Sequence, residues 1–285
     1  METLTIAGIR RGSLYSPNHI GNDAAIFTLT ANLLRSKGCT VYEYIESDLL
    51  TKDVNELCVF NMVRDWNSIR ILQRFEEEGR TVVNSAYGIE NCTREKMTRL
   101  LLSHNISHPH SVILSTDEDP TEVLESENMQ NCWIKRGDFH AIHREDVTYV
   151  RNIEEARSIL KEYAIRGIPS AVINEHLVGD LVKFYGVAGT DFFYWFYPSN
   201  MQHSKFGLEQ INGTAKGIPF DEEHLHVLCN DAADVLNIHI YGGDCIVSEE
   251  GTIRLIDFND WPSFAPCRDA AAPYIADCIY KCITD

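Results

Sequence analysis

The segment GGDCIVSEEGTIRLIDFNDWPSF, residues 242–264, constrains this chain more than any other. Two apolar runs, 244–247 and 253–258, flank the turn Glu249-Glu250-Gly251, which is the pattern of an antiparallel hairpin. Asp244 opens the first strand, and Asp257 and Asn259 close the second. Residues two apart on a strand send their side chains from one face, so Asp257 and Asn259 point the same way. With Asp244 across the hairpin, three hard oxygen ligands can converge. Such a set suits Mg²⁺, which keeps several waters and takes further ligands from phosphate. Ordinary turn carboxylates are the competing account, because Asp and Asn favour turns in any case.

The rest of the chain alternates elements in a mixed α/β manner. Near the start come an apolar run over 4–9, an amphipathic stretch over 22–37 closed by Gly38, and further apolar runs at 40–44 and 57–61. Strand, helix, strand, strand is the order expected, and a small parallel-sheet lobe fits it, since parallel neighbours need helical crossovers. Its end is expected near 86–91. A helix over 93–104 with Thr93 as N-cap follows, then strands at 112–114 and 132–135, a helix over 152–163, and strands at 170–174, 181–187 and 192–197. A helix over 222–236 precedes strands at 238–242 and 244–247, and the last segment, CRDAAAPYIADCIYKCI, reads as an amphipathic helix packed on the sheet. The expected fold class is therefore α/β plus α+β, divided as 1–88 and 89–285, the latter into 89–174 and 175–285.

Lys135 ends an apolar strand just before the polar loop RGDFHAIHRED, where a lysine can hold a phosphate as a point charge or simply be solvated. In VINEHLVGDLVKFYGV a short polar connection at Glu175 and His176 joins two apolar strands, the kind of exposed backbone edge that can hydrogen-bond adenine. Lys183, half-buried among apolar neighbours, needs an anion.

The order of a small α/β lobe, Lys135, the hinge with Lys183, and Asp244 with Asp257-x-Asn259 resembles the ATP-grasp superfamily over nearly the whole chain. The resemblance implies a nucleotide sandwiched between two lobes. Arg94, Lys135 and Lys183 would serve its phosphates, the 174–177 backbone (Asn174, Glu175, His176, Leu177) its adenine, and Asp244, Asp257 and Asn259 two Mg²⁺ ions, with Mn²⁺ as a substitute. Most members are ligases of the RimK and glutathione synthetase type, with an arginine after the hinge and Glu-x-Asn as the last metal motif. This chain has Lys183 and Asp257 at those places. Those departures are closer to the inositol polyphosphate 5/6-kinase branch, which Asp257, Asn259, Trp261 and Pro262 also match. His140 and His143 follow Lys135, and YPSNMQHSKFG loosely echoes that branch's substrate segment, with Lys205 as its cation. The expected activity is accordingly Mg-ATP-dependent phosphoryl transfer to a small anionic polyol, with an acyl-phosphate-forming carboxylate–amine ligase as the alternative.

A kinase needs an acceptor hydroxyl held in line and cations to hold an anionic acceptor, with Lys183, His140 and His143 as the catalytic candidates. Arg10, Arg11 and His19 lie in the first strand-to-helix connection, where parallel sheets bind ligands, and with Lys205 and Ser263 they form the candidate acceptor set.

The net charge of −17 disfavours nucleic acid, whose phosphates need clustered cations. No run reaches the roughly 20 apolar residues that span a bilayer, and no secretory leader is read at the start, so no membrane partner and a cytoplasmic location are expected, as a monomer or homodimer. The nine cysteines are scattered without a CxxC pair, and reduced core thiols are expected, with neither a disulfide scaffold nor a zinc site.

Overall fold

A computed structural model describes residues 4–15, 20–198 and 211–284. His19 and Lys205 lie outside the described residues.

The first sheet is parallel, in the order β2-β1-β3-β4: β1 (Thr5–Arg10), β2 (Thr40–Ile45), β3 (Cys58–Asn61) and β4 (Thr81–Val83). Helix α1 (Ile20–Ser36) crosses from β1 to β2, and α2 (Trp66–Glu77) from β3 to β4. Neighbouring strand residues feed opposite cores: Ile6, Phe60 and Val83 pack with α1, while Ala7, Val59 and Val82 pack with α2. Covering both faces is what lets these strands be almost continuously apolar. Helix α2 and β4 lie outside the expected elements: α2 carries Trp66, Ile69, Leu72 and Phe75 at helical spacing on a stretch that is polar on average, and β4 spans three residues. The N-cap of α2 is Asp65, which accepts from Ser68 N.

Two helices, α3 (Ala86–Asn91) and α4 (Arg94–Ser103), lead to the second sheet, which is antiparallel in the order β5-β8-β6-β7. Its strands are β5 (Ser111–Ser115), β6 (Cys132–Arg136), β7 (Val147–Val150) and β8 (Ser170–Glu175), with α5 (Thr121–Ser126) and α6 (Ile153–Ile165) closing a core over Ile134, Ala171 and Ile173.

The third sheet is antiparallel in the order β10-β9-β11-β12: β9 (Asp180–Val187), β10 (Phe193–Phe196), β11 (Ile240–Val247) and β12 (Ile253–Asp260). One face packs against α4 and α7 (Glu222–Leu236) through Phe184, Leu255 and Phe258. The other contributes Tyr185, Val187 and Ile240 to the core shared with α1 and the final helix α8 (Arg268–Thr284).

Two expectations need correction. Residues 238–242 and 244–247 are not separate strands, because β11 runs unbroken through Gly242 and Gly243. Glycine serves close packing here: a Cβ on Gly243 would come within 2.2 Å of the Asp257 carbonyl oxygen, and one on Gly242 within 2.6 Å of the Tyr185 ring. The final helix packs mainly on α1, beside contacts to β4 and β9, so the end of the chain returns to its beginning. No helix among the described residues is long and apolar enough to cross a membrane.

Candidate active site

The hairpin works as its pattern requires. Asp244 and Asp257 are direct cross-strand partners and Gly242 opposes Asn259, with a bulge after Asp244. Asp244 also faces Lys183 across the β9–β11 ladder, and the two side chains form an ion pair at 2.8 Å. Arg94, at the start of α4, approaches Asp257 at 3.3 Å. Asp244, Asp257, Asn259, Lys183 and Arg94 all line one cavity of about 300 Å³ between the second and third sheets.

Electrostatics tune this end of the cavity. Burial pushes the Asp257 carboxyl up, and the cations of Arg94 and Lys135, an Asn259 hydrogen bond and Lys183 outweigh it, so the group stays ionised below its ordinary range. Lys135 is 6% exposed and donates to the Ile256 carbonyl at 2.9 Å. Burial, helped by Arg94 and opposed by Asp257 and Asp244, takes its ammonium down to about 7. A divalent cation fits these three hard oxygen donors chemically, and Lys183 and Arg94 are the cations that stand against the two carboxylates.

The hinge joins β8 of the second sheet to β9 of the third. Asn174, Glu175 and Leu177 line the cavity; the Asn174 amide donates to Ser111 Oγ at 2.7 Å, and Glu175 accepts from His110 N at 2.8 Å. His176 turns its ring away: Trp133 Nε1 donates to its Nδ1 at 3.1 Å and Tyr149 packs on it, so it stands at the hinge by its backbone.

At the opposite end the cavity meets the C-terminal ends of β1 and β3. Arg11 donates to the Met62 and Trp261 carbonyls and pairs with Asp23 at 3.1 Å. Arg64 pairs with Asp260 at 3.2 Å, and Arg11 reaches the other oxygen of Asp260 at 3.8 Å. His140, 5% exposed, places Nε2 3.3 Å from Asp260 Oδ1. Buried Glu46 binds the loops that carry the arginines, accepting from Gly12 N and Asp65 N at 2.6 Å and also from Arg64 N. Ser263 and Pro262 complete this wall.

Besides the His176 ring, two predicted residues stand apart from the cavity. Arg10 pairs with Glu43 at 2.5 Å and lies over the Phe27 ring, because consecutive residues at a strand end face opposite ways and Arg11 takes the cavity side. His143 is exposed in the turn before β7, where its backbone N–H donates to Asp146. Arg64, Asp23, Asp260 and Glu46 are new to the site. Arg64 follows β3 as Arg11 follows β1, so the strand-end rule that nominates Arg11 points to it as well.

Solved structures share this fold over whole chains. D-alanine–D-alanine ligase from Bacillus anthracis, complexed with ATP, superposes with a TM-score of 0.69 at 13% identity, over 99% of this chain and 97% of that one. The ATP-grasp ligase PsnB, complexed with precursor peptide PsnA2 and AMPPNP, gives 0.63 at 15% identity, over 100% and 98%. The VanG D-Ala:D-Ser ligase from Enterococcus faecalis gives 0.69 at 12% identity, over 99% and 100%. The fold is the ATP-grasp fold. No family model and no curated relative matches the chain. These ATP-grasp neighbours are ligases, whereas the departures at Lys183 and Asp257 point in sequence to a kinase.

Proposed function

We propose that the chain is an ATP-dependent ligase that activates a small carboxylate as an acyl phosphate and passes it to an amine. One observation carries this reading: the Asp244, Asp257 and Asn259 oxygens and the Arg11–Arg64 pair open into one continuous cavity. Lys135 and Arg94 would hold the nucleotide phosphates as charge-assisted donors, and the hinge backbone at 174–177 would receive the adenine. Asp244, Asp257 and Asn259 would hold Mg²⁺, which when bound spreads the charge developing on the transferred phosphoryl group. Arg11, Arg64, His140 and Ser263 would face the acceptor, the two arginines lending it positive charge while they stay paired with Asp23 and Asp260.

The carboxylate oxygen attacks the γ-phosphorus and the β–γ bond breaks, releasing ADP. The amine nitrogen then attacks the acyl carbon, the bond to phosphate breaks, and the nitrogen sheds a proton. Positioning and electrostatic stabilisation suffice for the first step, so no covalent protein nucleophile is needed. The division of the chain at 1–88, 89–174 and 175–285 is part of this proposal: the first lobe would present the acceptor and the other two the nucleotide. The supporting neighbours are the ligases named above, and their nucleotide complexes support ATP as co-substrate.

Product analysis by phosphorus NMR and mass spectrometry tests the proposal, with Mg-ATP, mixed amino acids, polyols, inositol phosphates and hydroxylamine. Free phosphate released in step with a hydroxamate or amide is expected. A phosphorylated hydroxyl compound without free phosphate would replace the ligase with the kinase that Lys183 and Asp257 suggested.

A further inference from the structure

Away from the cavity, His239, Cys278 and Cys282 stand together, with one imidazole nitrogen and two sulfurs all within 4.8 Å of one another. Cys278 and Cys282 are one turn apart on α8, so their thiols leave the same side of the helix. His239 arrives from the connection between α7 and β11. Tetrahedral zinc, with Zn–S near ~2.3 Å and Zn–N near ~2.1 Å, spaces its ligand atoms by roughly 3.5–3.8 Å, so from within 4.8 Å the three groups need to close by at most about 1.3 Å. His239 is exposed, Cys282 is half-buried and Cys278 is buried, which leaves an approach from solvent and a fourth position for water.

We propose that His239, Cys278 and Cys282 form a binding site for a thiophilic divalent ion of the zinc type, separate from the acidic cluster in the cavity. The donor sets separate the two ions: two sulfurs and an imidazole select zinc, whereas carboxylates and an amide oxygen select magnesium. Cysteine spacing hides such a site, because two ligands share one helix and the third comes from a distant connection.

The surroundings tell what the ion would fasten. The His239 and Ile240 backbone N–H groups both donate to Asn84 Oδ1 at 2.9 Å, and the Asn84 amide donates back to the Ile240 carbonyl at 2.7 Å. Asn84 directly follows β4 of the first sheet, and α8 packs on α1. An ion here therefore pins the last helix to the seam where the first sheet meets β11, the strand that carries Asp244. Asp234 of α7 faces His239 and Lys281 of α8 faces Cys278. The contact with Cys282, together with burial, pushes the Cys278 thiol up, so metal binding has to expel thiol protons.

The full chain, stripped of metal and held reduced, is titrated with Co²⁺ and then Zn²⁺. Stoichiometric Co²⁺ should bring a thiolate-to-cobalt charge-transfer band with intense tetrahedral d–d bands, Zn²⁺ should displace it, and the melting temperature should rise with Zn²⁺. Cys282→Ser and His239→Ala, at the half-buried and exposed positions, should each abolish the band, while Asp257→Asn in the cavity should keep it. Co²⁺ binding without the charge-transfer band, or a band that survives both variants, would overturn the site. So would a Cys278–Cys282 disulfide mapped by mass spectrometry in the protein as isolated.

Discussion

Lys135 sits against the Ile256 carbonyl with Arg94 beside it, and burial brings its ammonium down to about 7 while the unfolded chain keeps its proton to about 10.5. Between those values the unfolded state carries more protons, so Lys135 makes the protein more stable as pH rises, by at most about 1.4 kcal/mol per pH unit. Replacing it with Met should remove that gain: urea unfolding at pH 7.5 and 9 should show the stability of wild type relative to Lys135→Met rising with pH. A difference that stays constant would mean that burial does not lower the Lys135 ammonium in the folded protein. At Asp257 the balance runs the other way, because Arg94, Lys135 and Lys183 hold the carboxyl ionised. Asp257→Asn keeps the shape and loses the charge; it should abolish ATP turnover, with nucleotide affinity in Mg²⁺ reduced at least tenfold in calorimetry.

The third sheet positions the acidic oxygens through its ladder. Register pairs Asp244 with Asp257 on one side and with Lys183 on the other, and the two glycines ahead of Asp244 let β12 and β9 close in. Gly243→Ala would drive a methyl into the Asp257 carbonyl, so it should cost about 2–4 kcal/mol in chemical denaturation and lower turnover in the fraction that folds. The convergence of these oxygens was legible in the sequence because period-two alternation and a Glu-Glu-Gly turn are local signals that fix which face each one leaves from. The unbroken course of β11 was not legible, since Gly-Gly reads locally as a break and only the neighbouring strands reveal its purpose. His176 shows the same limit: its place at the hinge is readable, yet the turn of its ring toward Trp133 depends on a strand far away in sequence. Arg64, Glu46 and Asp260 were not legible for a related reason, because three strand ends from two sheets must dock before the cluster exists. The choice between ligase and kinase is harder still, because both chemistries use the same phosphate and metal ligands.

Docking of the first sheet on the third is where the molecule stakes its stability on charge. Arg64 after β3 and Asp260 at the end of β12 are both almost wholly buried, and their ion pair at 3.2 Å spans that junction beside Arg11 and His140. Burial alone would press the Arg64 guanidinium toward its neutral form, and Asp260 is the carboxylate that chiefly opposes it. Such a pair gains little over a well-packed apolar contact, but removing one partner strands a charge in a poorly solvated place. Asp260→Leu alone should therefore cost about 3–5 kcal/mol, a large part of a typical folding free energy. Arg64→Met alone should cost less, because Arg11 and His140 remain near Asp260. The double variant should be more stable than the sum of the two losses predicts, by at least about 1 kcal/mol, when all four proteins are unfolded in urea. Strict additivity would mean that Arg64 and Asp260 do not hold the junction as a pair, and this end of the cavity would then owe its shape to Glu46 and its backbone bonds.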